Sequence, residues 1–403
     1  MRRSLVPFGV ALLACACSSS TSSTPARDAA TAADTAIPAD GGAPTDASTP
    51  ADTGSTGTGL PGDEYCRSAA AGVTCGRGQT NTCGVCIALP ARNDALERTN
   101  CDDTQRREYC RTGTVGAPNL QCYQPGSYPT AGTPQMVTMW GYVRVFGNGG
   151  NSQHIKVSVY RVAADGNPGE LLGAAVSDIT SPGSGMEDVF SPSRDRVLFT
   201  RQTGGFQIPN VPTETELLVV TEGDPADAQA AGLWSHRIYD YNTLLSNGQV
   251  DMDTAPAGIN GTHKVRFLPR VISNSDWTAI PATATLTSGI TRGRGAFAGE
   301  VHDCDDVRLA NASVDSSPRR AWDGPVVYFS DNDTNPLPDL SRDATSLLGT
   351  YALLDLDPGV VRVAASGYDA NHRLIHLGSY RARVFADSIT LVTLRGMRPW
   401  QVP

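Results

Sequence analysis

Lysine is nearly missing from this chain: Lys156 and Lys264 are two of its 32 basic residues. No block of basic residues occurs, and the formal net charge is -9, which argues against a nucleic-acid partner. Histidine is scarce as well. His154, His236, His263, His302, His372 and His376 are the full set, and none stands in H-E-x-x-H. His372 and His376 fall in a strand-like pattern, where that spacing puts both on one face. No G-x-S-x-G elbow is present; Gly183-Ser184-Gly185 is too short and sits in a turn. A phosphate-cradling loop is also lacking. These gaps leave no recognisable catalytic site and no cofactor, so an enzyme is not expected. A hydrolase with an unfamiliar site would need a concave cluster of histidines and carboxylates. Charged residues make up only 18% of the chain, which disfavours long charged helices.

What is present is glycine (41), proline (27) and ten cysteines. The first two favour turns and strands. The cysteines suit an oxidising compartment. The chain starts Met1-Arg2-Arg3, and residues 5–13 form an apolar run too short to span a bilayer but long enough for a signal-peptide core. The run ends in Leu12-Leu13-Ala14-Cys15, which resembles the bacterial lipobox. The resemblance implies cleavage of residues 1–14, a diacylglycerol on the Cys15 thiol and residues 15–17 as the lipidated N-terminus. Membrane partnership through that anchor is therefore expected. Ala16 follows the cysteine where a retention Asp would stand in enteric lipoproteins, pointing to the outer membrane or cell surface.

Residues 18–61 change character. From 18 to 59 there is no aromatic residue and one basic residue, Arg27. Such a segment buries too little apolar surface to offset its conformational entropy, so a disordered stalk is expected. Asp28, Asp34, Asp40, Asp46 and Asp52 recur every six residues and would keep it extended by like-charge repulsion. Residues 62–125 then hold seven cysteines: Cys66, Cys75, Cys83, Cys86, Cys101, Cys110 and Cys122. Large aliphatics are few there, so the module has to be stapled. Seven is odd; Cys304, the only cysteine downstream, is a possible partner that would tie the module to the C-terminal part. Eight paired cysteines allow about 105 connectivities. Cys83-Gly84-Val85-Cys86 is a lone C-x-x-C without a second pair at zinc spacing or a thioredoxin-like frame. Structural disulfides are the better reading. A short helix is expected over 93–111, anchored by Leu96, Cys101 and Tyr109.

After Pro125 the pattern alternates. Val137, Met139, Gly141, Val143 and Val145 share one face, as do Ile155, Val157 and Val159. Turn residues separate short runs at sandwich spacing. Gly299-Glu300-Val301, Leu309-Ala310-Asn311-Ala312-Ser313-Val314, Gly349-Thr350-Tyr351 and Pro358-Gly359 follow in order. This region resembles the carboxypeptidase regulatory-like domains, which are transthyretin-like sandwiches and usually accessory rather than catalytic. Residues 136–270 look like a diverged copy: Trp140-Gly141-Tyr142-Val143 repeats the opening, but Thr213 replaces the later glycine. The expectation is all-β: two transthyretin-like or Ig-like sandwiches, 130–271 and 293–398, behind the disulfide-rich module and stalk. A connector at 272–292 has room for a short helix.

Two binding features remain. Asp331, Asp333 and Asn335 open like a calcium loop, but Pro336 replaces the central glycine and Arg342 the bidentate acid. Asp303, Asp305 and Asp306 form a second acidic turn. Trp140, Trp234, Trp277, Trp322 and Trp400 could stack sugars, though core packing is the simpler role. The function expected is a non-enzymatic surface lipoprotein with structural, adhesive or protein-binding roles. The alternative is a carbohydrate- or calcium-binding module, so a protein or glycan partner is possible.

Overall fold

In the computed structural model the described residues are 72–100, 111–112, 117–123, 130–146, 152–178, 187–189, 197–199, 204–255, 258–332, 336–396, 398 and 400. Cys15, the stalk at 18–61, Cys66, Cys101, Cys110, Asp333 and Asn335 lie outside them.

The chain is all-β, as its turn-rich composition suggests, with two short α-helices among the described residues. In chain order the main elements are β1 (Gln79–Thr82), β2 (Val85–Ala88), β3 (Glu97–Asn100), β4 (Met136–Tyr142), β5 (Ile155–Val162) and β6 (Pro168–Val176). Then come β7 (Gly205–Pro212), β8 (Leu217–Gly223), α1 (Ala228–Leu233), β9 (Ile238–Thr243), β10 (Lys264–Arg266) and α2 (Asn274–Thr283). The remainder is β11 (Gly295–Glu300), β12 (Leu309–Ala310), β13 (Ser313–Ser317), β14 (Val326–Tyr328), β15 (Thr350–Leu356), β16 (Gly359–Tyr368), β17 (Leu374–Val384) and β18 (Ile389–Val392).

Two sandwiches share one wall. An eight-stranded sheet runs β14-β15-β11-β18-β9-β8-β5-β6. Three-stranded sheets β7-β4-β10 and β13-β16-β17 complete the two sandwiches. The run Leu217-Leu218-Val219-Val220 shows why the wall is shared. Leu217 and Val219 join the core with Met139, Val157, Phe206 and Ile208. Leu218 and Val220 join the other core with Phe297, Tyr351, Val363 and Tyr380. A strand buried on both faces reads as a continuous apolar run rather than an alternating one. Each such side chain contributes roughly 2 kcal/mol by leaving water.

The strand that joins the halves is β18. It runs parallel to β9 on one side, with Ile238 opposite Ile389, and parallel to β11 on the other, with Ala296 opposite Ile389. Behind this part of the sheet a third cluster holds Ile272, Ile280, Ala296, Phe329 and Leu354, with Trp277 packed against it. The connector does carry a helix: the Ser273 hydroxyl caps α2 by accepting from the Asp276 N–H at 3.1 Å.

The cysteine module borrows its core. Cys83 and Gly84 both have positive φ, 52° and 83°, as a two-residue hairpin turn of the mirror-image type requires. The hairpin places Val85 and Ile87 against Ala364 of β16. Of the helix expected over 93–111, residues 101–110 lie outside the described residues, and 93–100 and 111 are not helical. Residues 97–100 are a strand pairing with β12 and with Arg111–Thr112. The Leu96 N–H donates to the Tyr368 carbonyl at 2.7 Å, and the space left by Gly367 holds the Leu96 side chain. Pairing with the second sandwich overrides a weak local helix preference.

Candidate functional site

A dense group of ionisable side chains lies where β11 ends. Glu300 and His302 are two residues apart, so they share a face. The chain then turns through Asp303-Cys304-Asp305-Asp306, and Arg308 returns beside Glu300 at 2.8 Å. Asp303 makes this turn itself: its Oδ1 accepts from the N–H groups of Asp305 at 3.0 Å and Val307 at 3.1 Å. His302 bridges two acids, with Nε2 at 2.8 Å from Glu300 and Nδ1 at 2.8 Å from Asp306. Arg395 reaches Asp306 at 2.9 Å. Arg98, from β3, lies 2.8 Å from both Asp303 and Asp305.

The electrostatics follow from this pairing. Burial alone would raise the Glu300 carboxyl, but Arg308, His302 and Arg270 hold it well below the usual carboxylate range. Burial opposes charge on His302, and its two acids still raise its imidazole. Asp306 is lowered against burial by Arg395 and His302. Asp240 is the exception. Burial pushes its carboxyl up to about 7, despite Arg395 and Arg270. Folding therefore favours its protonated form. That contribution is complete below pH ~4, the unfolded value, and is lost as pH rises through about 7. Asp240→Asn should accordingly raise stability at pH 8 by about 2 kcal/mol, partial exposure reducing the full value, and change little at pH 4. Urea midpoints at the two pH values check this; equal gains at both would contradict it.

The same turn carries a covalent tie, because Cys304 is bonded to Cys122. Cys75 is bonded to Cys86, and Cys83 is also in a disulfide. The C-x-x-C is thus not a redox pair: Cys86 is bonded outside it.

The other sequence candidates do not converge. Asp331 is held by Arg342 at 2.7 Å and accepts from the Leu347 N–H at 2.9 Å. Asp331 thus pairs with Arg342, and Asp303 and Asp305 with Arg98, while Asp333 and Asn335 of the calcium-loop candidate lie outside the described residues. His372 sits in a turn with φ 56°, its Nδ1 2.9 Å from the Asn93 carbonyl. His376, in β17, meets the Thr82 hydroxyl at 2.9 Å. Among the described residues no three His, Cys, Asp or Glu side chains gather as metal ligands. Trp140 is fully buried, Trp234 and Trp277 pack on cores, and Trp322 is 62% exposed.

One feature has no motif in the sequence. A cleft of about 350 Å³ opens beside the β7–β8 turn and includes Arg161, Val162, Glu214, Glu216 and Trp400. Glu214 has φ 52° and is fixed by the Asn247 N–H, which donates to its Oε1 at 2.6 Å. Burial raises the Glu216 carboxyl, which accepts from the Tyr380 hydroxyl across the seam between the sandwiches. The spacing Glu214-x-Glu216 is the only local signal; Trp400 is 184 residues further on.

No family model and no curated protein matches the chain. Solved structures do. The shaft pilin SpaA from Lactobacillus rhamnosus GG is 10% identical over 66% of this chain and 99% of its own, with a TM-score of 0.16. A Streptococcal ancillary pilin is 11% identical over 65% of this chain and 62% of its own, with a TM-score of 0.15. The full-length major pilin RrgB from Streptococcus pneumoniae is 9% identical over 72% of this chain and 55% of its own, with a TM-score of 0.16. At these scores the likenesses bring no function to this chain.

Proposed function

We propose that the chain is a lipid-anchored, non-enzymatic protein of the bacterial outer membrane or cell surface, holding a rigid β-body out on a stalk for structural or adhesive contacts with other proteins. The observation that carries this reading is the cysteine placed directly after a short apolar leader, Leu12-Leu13-Ala14-Cys15. Two or three acyl chains there give near-permanent attachment, since each buried methylene contributes roughly 0.8 kcal/mol. The body suits that role. Its charged residues around β11 are engaged with one another, and disulfides staple it for an oxidising compartment. The carboxypeptidase regulatory-like resemblance, itself resting on the motif residues at 299–359, agrees with an accessory module.

Cys15→Ser tests the anchor. The wild type should fractionate with membranes and carry acyl mass on its first mature residue. The variant should move almost wholly to the soluble fraction. Retention of the variant on membranes, or an unacylated wild type, would reject the reading.

A further inference from the structure

We infer that the cleft bearing Trp400, Glu214 and Glu216 binds a neutral carbohydrate. It opens at the seam of the two sandwiches. Arg161 and Val162 come from the end of β5, Glu214 and Glu216 from the turn before β8, and Trp400 from the C-terminal segment. Its volume, about 350 Å³, falls within the range of small-ligand sites.

Two carboxylates are preorganised there. Glu214 has one oxygen fixed by the Asn247 N–H, and Asn247 is itself tied to the Thr133 carbonyl through its amide at 2.9 Å. Glu216 has one oxygen fixed by the Tyr380 hydroxyl. That leaves the second oxygen of each to accept from a ligand. Trp400 lines the same cleft. The Arg161 side chain supplies donors; it is 45% exposed and bonded to Glu170 through Nε at 3.1 Å.

The mixture selects the ligand class. Two carboxylates repel a phosphate or an acidic sugar. No third acidic or histidine ligand joins the two carboxylates among the described residues, which disfavours a metal cation. A purely apolar ligand would cover the second oxygen of each carboxylate without supplying a donor. A neutral sugar meets each demand: its hydroxyls donate to the carboxylates and accept from the guanidinium, while its C–H face packs on an aromatic ring.

This inference is independent of the lipid anchor, and its test uses no membrane. The purified full chain is applied to an array of neutral, sialylated and sulfated oligosaccharides. The neutral oligosaccharide of highest signal is then titrated by calorimetry. Binding of neutral glycans is expected. Trp400→Ala should weaken it at least tenfold. Glu216→Gln keeps an acceptor for the Tyr380 hydroxyl and so should fold; it should weaken binding about fivefold. Trp322→Ala, at an exposed tryptophan on another loop, should leave binding unchanged. Overturning results are no neutral glycan above background, binding of acidic glycans alone, or affinity unaltered in Glu216→Gln.

Discussion

Alanine in place of Gly299 is expected to cost about 4 kcal/mol or more, a large share of the roughly 5–15 kcal/mol that holds a typical domain folded. A Cβ at this position would lie 1.8 Å from the Val392 carbonyl oxygen and 2.9 Å from the Tyr351 hydroxyl. Neither can yield cheaply. Val392 belongs to β18, whose parallel register with β11 joins the two halves of the sheet. The Tyr351 hydroxyl donates to that same carbonyl at 2.8 Å. Gly141 is the counterpart in the first sandwich. Its Cβ would lie 1.8 Å from the Phe267 carbonyl oxygen, just past β10, which runs parallel to β4. Backbone hydrogen bonds flank both contacts. Phe267 N–H donates to the Trp140 carbonyl, and Leu394 N–H to the Glu300 carbonyl, both at 2.8 Å. Gly141→Ala and Gly299→Ala should therefore show similarly large losses in denaturant midpoint. Gly232 in α1 is the control, with nothing within 4 Å of its Cβ position. Gly232→Ala should be neutral or gain up to about 1 kcal/mol from helix propensity. If all three variants melted alike, close backbone approach would not be the reason for these glycines.

That parallel marks how far the sequence could be read. Trp140-Gly141-Tyr142-Val143 and Gly299-Glu300-Val301 stand out as a repeated opening because each glycine meets the same demand, a neighbouring carbonyl too near for a side chain. Tyr351 and Leu353, two apart, do enter one core. Gly349, with φ 65°, does take the turn that its motif suggests. Thr213 shows where the copy diverged. It is buried, its hydroxyl accepts from the Gln135 N–H at 2.9 Å, and positive φ passes to Asn210 and Glu214 on either side. The shared wall was not legible. A strand such as β18 pairs in parallel with partners about 90 and 150 residues away, and parallel pairing leaves no turn signature between partners. The cleft was hidden for the same reason. Glu216, Tyr380 and Trp400 are distant in the chain and meet only once the sandwiches join.

Removing the Cys122–Cys304 disulfide should be more damaging than removing Cys75–Cys86. This bond closes a loop of 182 residues, against 11 for Cys75–Cys86. Loop-closure entropy in the unfolded chain scales with the logarithm of that length, giving about 5 kcal/mol for the long loop and about 3 kcal/mol for the short one. Native contacts around the long tie do not replace it, because they act on the folded state alone. Asp303 accepts from the Asn119 N–H at 2.9 Å, and Cys304 N–H donates to the Asn119 carbonyl at 2.9 Å. Such hydrogen bonds contribute about 1 kcal/mol each and vanish on unfolding, whereas the disulfide restrains the unfolded ensemble. The Cys122→Ser/Cys304→Ser double variant should thus lose about 3–5 kcal/mol in urea unfolding, and Cys75→Ser/Cys86→Ser less. The order matters more than either value. A larger loss for the short loop would mean that the module's grip on β16, rather than chain entropy, sets the stability of the body.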